Sequence, residues 1–332
     1  MDILITGGNG LLGCHLVEEL QERGDSVRVL VLPEEDASRL AQRGVEVHRG
    51  DIRRPETLTP PMSGVDAVMH LAGMMGVWRP IGDYEAVNVT GTENVCWAAL
   101  AQGARVIHVS SWTVYGMALG RPAREDFPLR PFPEPYAITK AAGDRVVQRM
   151  IAEQDLPAVI IRPGTFFGPG DRLHFARVAD RLRDGKGVIV GSGDNALPFV
   201  YVTDVVRGLL LALDRERALG QAYNITNDRP LTQRQLLHAI AHEIGVSPPR
   251  CLGQLRLCTG RIRFSTRGRA RGGADEPRAT WDPAPALLRL RTEVHDRKAT
   301  GNRRQRERLH DGAGDWRHRP DCQLSDRRDE HG

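Results

Sequence analysis

Asp2-Ile3-Leu4-Ile5-Thr6-Gly7-Gly8-Asn9-Gly10-Leu11-Leu12-Gly13 is the stretch that decides the fold. Three consecutive apolar residues read as a short strand buried on both faces. Leu12, Leu16 and Leu20 then recur at helical spacing through 11–23. A strand, a glycine turn and a helix that opens at once are the parts of a dinucleotide-binding βα unit. In that reading Gly7 permits the tight turn. Gly10 lets the backbone approach a pyrophosphate, and Gly13 lets the helix pack on the strand. Free amides and the positive dipole end of the helix receive the phosphates. Asn9 and Leu11 sit in the same turn and are candidate cofactor contacts.

Outward from this unit the pattern repeats. Apolar runs at 27–32, 45–48, 67–71, 106–110 and 158–162 read as strands, and 84–101 and 136–153 as helices. Short apolar strands alternating with amphipathic helices predict an α/β fold of the Rossmann type, a doubly wound parallel sheet covered on both faces. After Gly170 the pattern loosens. A basic helix at 175–184, short strands at 188–190, 199–202 and 222–226, and helices at 205–214 and 231–244 suit a smaller C-terminal substrate lobe with crossings back to the sheet. The expected boundaries are 1–170 for the NAD(P)-binding domain, 171–250 for the substrate lobe and 251–332 for an atypical tail.

Composition separates these regions. The net charge of +4 combines −3 over residues 1–250 with +7 over 251–332. Beyond residue 251 the only β-branched aliphatics are Ile262 and Val294, and runs such as Arg303-Arg304-Gln305-Arg306 dominate. Such a segment buries too little apolar area to offset its ordering entropy and is expected to be irregular. An out-of-frame or otherwise aberrant tail and a genuine basic tail both fit it. The basic charge therefore says nothing about the nucleotide half, and a nucleic acid partner is not expected. The longest apolar runs fall far below the roughly 20 residues that span a bilayer. The chain opens without a basic and then apolar leader, and its five cysteines are scattered and odd in number. Both features predict a cytoplasmic protein with no disulfide framework and no metal site.

Further candidates lie at the strand ends. Asp51-Ile52 follows the third strand, where the carboxylate could meet an adenine amino group. Leu71-Ala72-Gly73 closes the fourth with small residues that admit a cofactor backbone-close. At the end of the second strand stand Val31 and Leu32, with Glu34, Glu35 and Asp36 just beyond and no Arg at that point. This favours NAD weakly over NADP. Tyr136 and Lys140 are four apart, so a helix places them on one face. An ammonium beside a phenol lowers its pKa from about 10 and suits it to proton transfer at a carbinol carbon. Ser110-Ser111 leaves the fifth strand at the end where such sheets bind ligands.

Together these motifs resemble the extended short-chain dehydrogenase/reductases of the epimerase/dehydratase superfamily, in the branch of the 3β-hydroxysteroid dehydrogenases and dihydroflavonol reductases. The match extends through Asn88-Val89-Thr90-Gly91-Thr92, Arg162-Pro163, Gly168-Pro169-Gly170-Asp171 and Tyr223-Asn224-Ile225-Thr226-Asn227 and ends near residue 248. The resemblance implies Tyr136 as acid/base, Lys140 on the nicotinamide ribose, and Ser111 rather than Ser110 at the substrate oxygen. It implies Pro163 near the nicotinamide and Asn88 as a structural, cofactor-side residue. It also implies NAD or NADP as cofactor, and a homodimer through helices 84–101 and 136–153.

Three reactions compete. Hydride exchange with a separate secondary alcohol or ketone is favoured over a nucleotide-sugar epimerase and over a non-catalytic NAD(P)-binding protein. Ser111-Trp112-Thr113 lacks the carboxylate pair of the sugar dehydratases. The stretch 193–198 holds no Arg for a sugar diphosphate, and Arg177, Arg181 and Arg229 read equally well as solvated charges. Met74, Met75, Trp78, Trp112, Met117 and Phe132 suggest an apolar substrate side instead.

Overall fold

Strand β1 (Asp2–Thr6) runs through the middle of a sheet whose order explains why the opening sequence is so apolar. The computed structural model describes residues 1–76, 79–116, 121–172, 174–227, 229 and 231–252. In chain order the helices are α1 (Leu11–Glu22), α2 (Ser38–Gln42), α3 (Thr59–Met62), α4 (Ile81–Glu85), α5 (Thr92–Gln102), α6 (Pro135–Gln154), α7 (Phe175–Arg183), α8 (Val202–Asp214) and α9 (Gln233–Glu243). The strands that follow β1, all in the same sheet, are β2 (Ser26–Val31), β3 (Glu46–Arg49), β4 (Ala67–His70), β5 (Arg105–Val109) and β6 (Ala158–Pro163). Shorter ones follow: β7 (Thr165–Phe167), β8 (Ile189–Val190), β9 (Ala196–Leu197), β10 (Phe199–Tyr201), β11 (Ala222–Ile225), β12 (Leu231–Thr232) and β13 (Cys251–Leu252).

Seven parallel strands form the sheet in the order β11-β6-β5-β4-β1-β2-β3. The order reverses between β1 and β4, which is where open α/β sheets bind ligands. This is the expected Rossmann-type doubly wound sheet. On one face Ile3, Ile5, Val29, Met69, Ile107 and Ile161 pack with Leu16 and Leu20 of α1 and Val205 and Leu209 of α8. On the other, Leu4, Val68, Val106 and Ile160 pack with Val95 and Ala99 of α5 and Val147 and Met150 of α6. The strand period of two assigns alternate residues to the two cores. Among the described residues, no helix is long and apolar enough to cross a membrane.

The described chain divides into two units. The larger holds residues 1–166 and 198–227, with the main sheet. The smaller takes 167–197 and 229–252. In it β12 pairs antiparallel with β9, and β13 parallel with β8. Phe167 stacks on Phe175 with centroids 4.6 Å apart, and Leu182, Ile189, Leu236 and Ile240 are buried. The tail beyond Leu252 lies outside the described residues.

Two expected helices differ in detail. Residues 84–101 are not one α-helix. A π-helical segment, Ala86–Gly91, widens the turn between α4 and α5. The Thr92 hydroxyl donates to the Asn88 carbonyl at 2.9 Å, and that carbonyl packs on Gly143, where a Cβ would lie 2.2 Å from it. Such bulges cluster at functional sites. The stretch 231–244 begins as strand. Leu231 pairs with Leu197, and α9 starts only after Thr232, whose side chain and that of Gln235 form a reciprocal cap.

Candidate active site

The glycine turn is shaped by what cannot fit in it. Gly7 has φ +77°, and a Cβ there would lie 2.8 Å from the Ala72 amide. A Cβ on Gly13 would meet the Gly7 carbonyl at 2.4 Å and Gly8 Cα at 2.6 Å, so α1 rests directly on the turn. Gly10 donates its N–H to Gly7 O at 3.1 Å and precedes α1 with no side-chain cap. No acid occupies the first turn of α1. The start of α1 therefore keeps free donors and an uncompensated positive dipole end. A backbone cradle without side chains fits a dinucleotide pyrophosphate. Leu11 and Leu71 are half-buried beside it.

The other cofactor-side candidates are placed unequally. Asn9 faces away from the turn. Its Nδ2 donates to Glu35 Oε1 at 3.0 Å and to Asp36 O at 2.9 Å. Asp51 is buried, and both its oxygens accept from Arg53 Nε, at 3.0 and 2.9 Å. That bond holds its carboxyl below the usual range. Ile52 packs under Gly91. Ala72 donates its N–H to Thr6 Oγ1 at 3.3 Å. Gly73 brings Asn88 and Lys140 together, since a Cβ there would stand 3.2 Å from Asn88 Oδ1 and 3.8 Å from Lys140 Nζ. Pro163 is buried at the end of β6, in register with Ile225. The sequence shows no Arg at the end of β2, yet the register pairs Val31 with Arg49 of β3 and delivers one there.

Ser111 and Tyr136 come together, and Lys140 lies one turn further along α6. Ser111 Oγ accepts from Thr113 N at 3.2 Å and Thr113 Oγ1 at 2.9 Å, and is hydrogen-bonded to the Tyr136 side chain. Ser110 is also buried, but its Oγ has no partner among the described protein atoms. Glu134 caps α6 through Ala137 N at 2.9 Å, which fixes the turn that carries Tyr136. Lys140 is buried and donates from Nζ to Val109 O at 2.6 Å. Burial brings its pKa down to about 8, against the opposing pull of Asp144. Tyr136 departs from the expectation. Burial raises its pKa, and the bond to Ser111 offsets this only in part. The ammonium is turned to the Val109 carbonyl, so desolvation of the phenol prevails.

Three arrangements were not legible beforehand. Arg162 Nε and Nη2 grip the two oxygens of Asp144 at 2.8 Å, while Nη1 donates to Tyr115 Oη at 2.7 Å and Glu125 O at 2.9 Å. Tyr115 Oη in turn donates to Asn224 Oδ1 at 2.8 Å. Second, His70 lies between Thr6 Oγ1 at 2.8 Å and Thr92 Oγ1 at 3.0 Å. Thr92 already donates to Asn88 O, so His70 Nε2 carries the hydrogen and Nδ1 accepts from Thr6. Its ring neighbours His108 at 5.3 Å. Burial pushes His70 down to about 3 and His108 well below the usual range. Third, the Trp112 indole donates to Thr165 Oγ1 at 3.1 Å. The position of Asp144, one turn past Lys140, was the available signal for the first. Trp78 and Met117 lie outside the described residues. Phe132 is 45% exposed, and Met74 and Met75 are half-buried.

The model of the NAD dependent epimerase/dehydratase family matches residues 3–226. A 2-alkyl-3-oxoalkanoate reductase from Stenotrophomonas maltophilia is 35% identical over 261 residues, covering 74% of this chain and 76% of that protein. The 3beta-hydroxysteroid-dehydrogenase/decarboxylase isoform 1 of Arabidopsis thaliana is 30% identical over 274 residues, covering 74% and 62%. A crystal structure of the Thermus thermophilus UDP-glucose 4-epimerase with NAD superposes with a TM-score of 0.66 at 29% identity, over 75% of this chain and 85% of that one.

Proposed function

Because the chain belongs to the NAD dependent epimerase/dehydratase family, we propose that it is an NAD(P)-dependent oxidoreductase acting on a secondary alcohol or ketone. The observation that carries this is that Ser111 and Tyr136 meet, with the buried Lys140 one turn further along α6. When bound, the nicotinamide supplies or receives the hydride. Ser111 Oγ orients the substrate oxygen. Tyr136 passes its phenolic proton to that oxygen in reduction and retrieves it in oxidation. Its raised pKa keeps the phenol protonated at neutral pH, the form that reduction requires. Lys140, held by Val109 O, stands at Gly73 and Asn88 on the cofactor side. Gly7, Gly10, Leu11 and Gly13 hold the pyrophosphate, and Asp51, Ile52, Leu71, Ala72 and Pro163 line the rest.

An apolar ketone suits Trp112, whose indole N–H is already used by Thr165. The two relatives above are named for a 2-alkyl-3-oxoalkanoate and a 3beta-hydroxysteroid. The smaller unit is read as the substrate side. Trp97, 47% exposed on α5, supports a homodimer through α5 and α6. The likeness to the UDP-glucose 4-epimerase favours a second reading, epimerisation of a nucleotide sugar. A panel of alcohols, ketones and nucleotide sugars with NAD and NADP, followed at the reduced-nicotinamide absorbance, decides between them. Net turnover of an added ketone that falls by about 10²–10⁴ in Tyr136→Phe is expected. Epimerised sugar with no net change in reduced cofactor would replace this reading by the second.

A further inference from the structure

The hydroxyl of Ser111 is fixed by its own chain two residues on. Ser111 caps the 3₁₀ turn Trp112–Tyr115, and Thr113 is the second residue of that turn. The residues around Thr113 are pinned. The Trp112 indole is bonded to Thr165, Val114 is buried, and Tyr115 Oη is bonded to Asn224 and Arg162. Thr113 is partly buried and directs both its donors at one atom. Its N–H reaches Ser111 Oγ at 3.2 Å, and its hydroxyl reaches the same oxygen at 2.9 Å. A serine oxygen has two acceptor lone pairs and one hydrogen. Both lone pairs of Ser111 are thereby filled, and its hydrogen is left to be donated. Ser110 shows the contrast: its hydroxyl is as deeply buried, yet its Oγ has no partner among the described residues.

We propose that Thr113 is a positioning residue that makes Ser111 a donor only toward the substrate oxygen, so that this oxygen exchanges its proton with Tyr136 directly. The inference rests on the oxidoreductase reading above. A relay through Ser111 would have it take the alcohol proton on one lone pair while its own hydrogen passes to Tyr136. With both lone pairs occupied, that step is closed. In oxidation the alcohol gives its hydroxyl proton to the deprotonated Tyr136 oxygen. Its carbinol hydrogen leaves with the bonding electrons, as hydride to the nicotinamide. Ser111 keeps its hydrogen and holds it against the substrate oxygen throughout. In reduction both hydroxyls point hydrogens at the carbonyl oxygen, and only that of Tyr136 is transferred.

The probe is the ketone of the panel above that the full parent chain turns over fastest. Thr113→Val keeps the shape of the side chain and removes its hydroxyl. It should lower kcat about tenfold or more, with the KM of the ketone changed less than about threefold. Thr113→Ser restores the donor and should recover the parent kcat to within about threefold. In a Ser111→Ala background Thr113→Val should lower kcat no further, because Thr113 acts only through Ser111. A second readout needs no turnover. With a lone pair freed, Ser111 can accept the phenol hydrogen of Tyr136 and stabilise the neutral form. In the ligand-free chain the phenolate absorbance of Tyr136, assigned by difference against Tyr136→Phe, should then appear about half a pH unit or more higher in Thr113→Val. Glu134 and Lys140, the charged groups nearest Tyr136 on α6 and its cap, are the same in all these variants. A parent-like kcat in Thr113→Val, or a Thr113→Ser variant as slow as Thr113→Val, would overturn the inference alone. So would a loss that persists in Ser111→Ala, or an unmoved Tyr136 midpoint. If the parent chain turns over nothing in the panel, the oxidoreductase reading falls, and the Tyr136 midpoint still decides whether Thr113 sets the Ser111 hydroxyl.

Discussion

The two faces of the central sheet carry the same strands and do different work. Toward α1 and α8 the core is apolar from end to end: Ile3, Ile5, Val29, Met69, Ile107, Ile161, Val205 and Leu209. Toward α5 and α6 it is apolar only in its lower part. At the C-terminal ends of the strands this face turns polar, with Thr6, His70, His108 and Arg162 from the sheet and Lys140 and Asp144 from α6 all buried. One face secures stability. The other spends part of its burial on groups that prefer water, and Ser111, Tyr136 and the Asn88 turn are mounted on that polar layer.

The contrast can be broken most sharply at the ion pair. Arg162→Met leaves Asp144 buried and uncompensated and should cost about 3–5 kcal/mol. A urea midpoint close to that of the parent chain would show that the layer is not held by this pair. On the apolar face, Leu209→Ala should cost about 2–5 kcal/mol by cavity formation. There, kcat/KM measured well below the melting temperature should stay unchanged, and a large kinetic loss would erase the distinction between the faces. Gly143→Ala drives a methyl into the Asn88 carbonyl and should cost about 1–3 kcal/mol, with a rise in cofactor Kd as the π-turn shifts. Lys140→Met should abolish turnover yet leave the melting temperature of the ligand-free chain unchanged or raised, since the amine is buried against its preference.

A pH signature is confined to the polar face. His70 and His108 stay neutral in the folded chain below pH 6.5, where the unfolded chain binds both protons. Stability should therefore fall with pH below 6.5, by about 1.4 kcal/mol per unit for each histidine. Lys140 acts at the other end. Between about 8 and 10.5 only the unfolded chain keeps that proton, so stability rises with pH across this window. His108→Phe should flatten the acid limb by one proton in chemical denaturation at several pH values. An unaltered slope would place the titration elsewhere.

The sheet was legible because its strands are continuous apolar runs, and Gly7, Gly13, Tyr136 and Lys140 lie at spacings set by backbone geometry. What stayed hidden depends on contacts across long separations. Arg162 finds Asp144 18 residues away and Tyr115 47 away, and His70 meets Thr6 across 64. The bulge at Asn88 was also hidden, because the carbonyl within it packs on Gly143 of another helix, far along the chain. The lowered tyrosine pKa was argued from the spacing of Tyr136 and Lys140. Spacing does not say how dry the phenol is or which way the ammonium points.

The polar layer holds two buried cations, Lys140 and Arg162, and one buried anion, Asp144. With a Lys140 pKa of about 8, a sizeable share of the amines is uncharged in mildly alkaline buffer. A ligand whose oxygens approach that amine favours its charged form, and the missing proton must come from solution. Binding heats should then depend on the ionisation enthalpy of the buffer, and that dependence counts the protons drawn in.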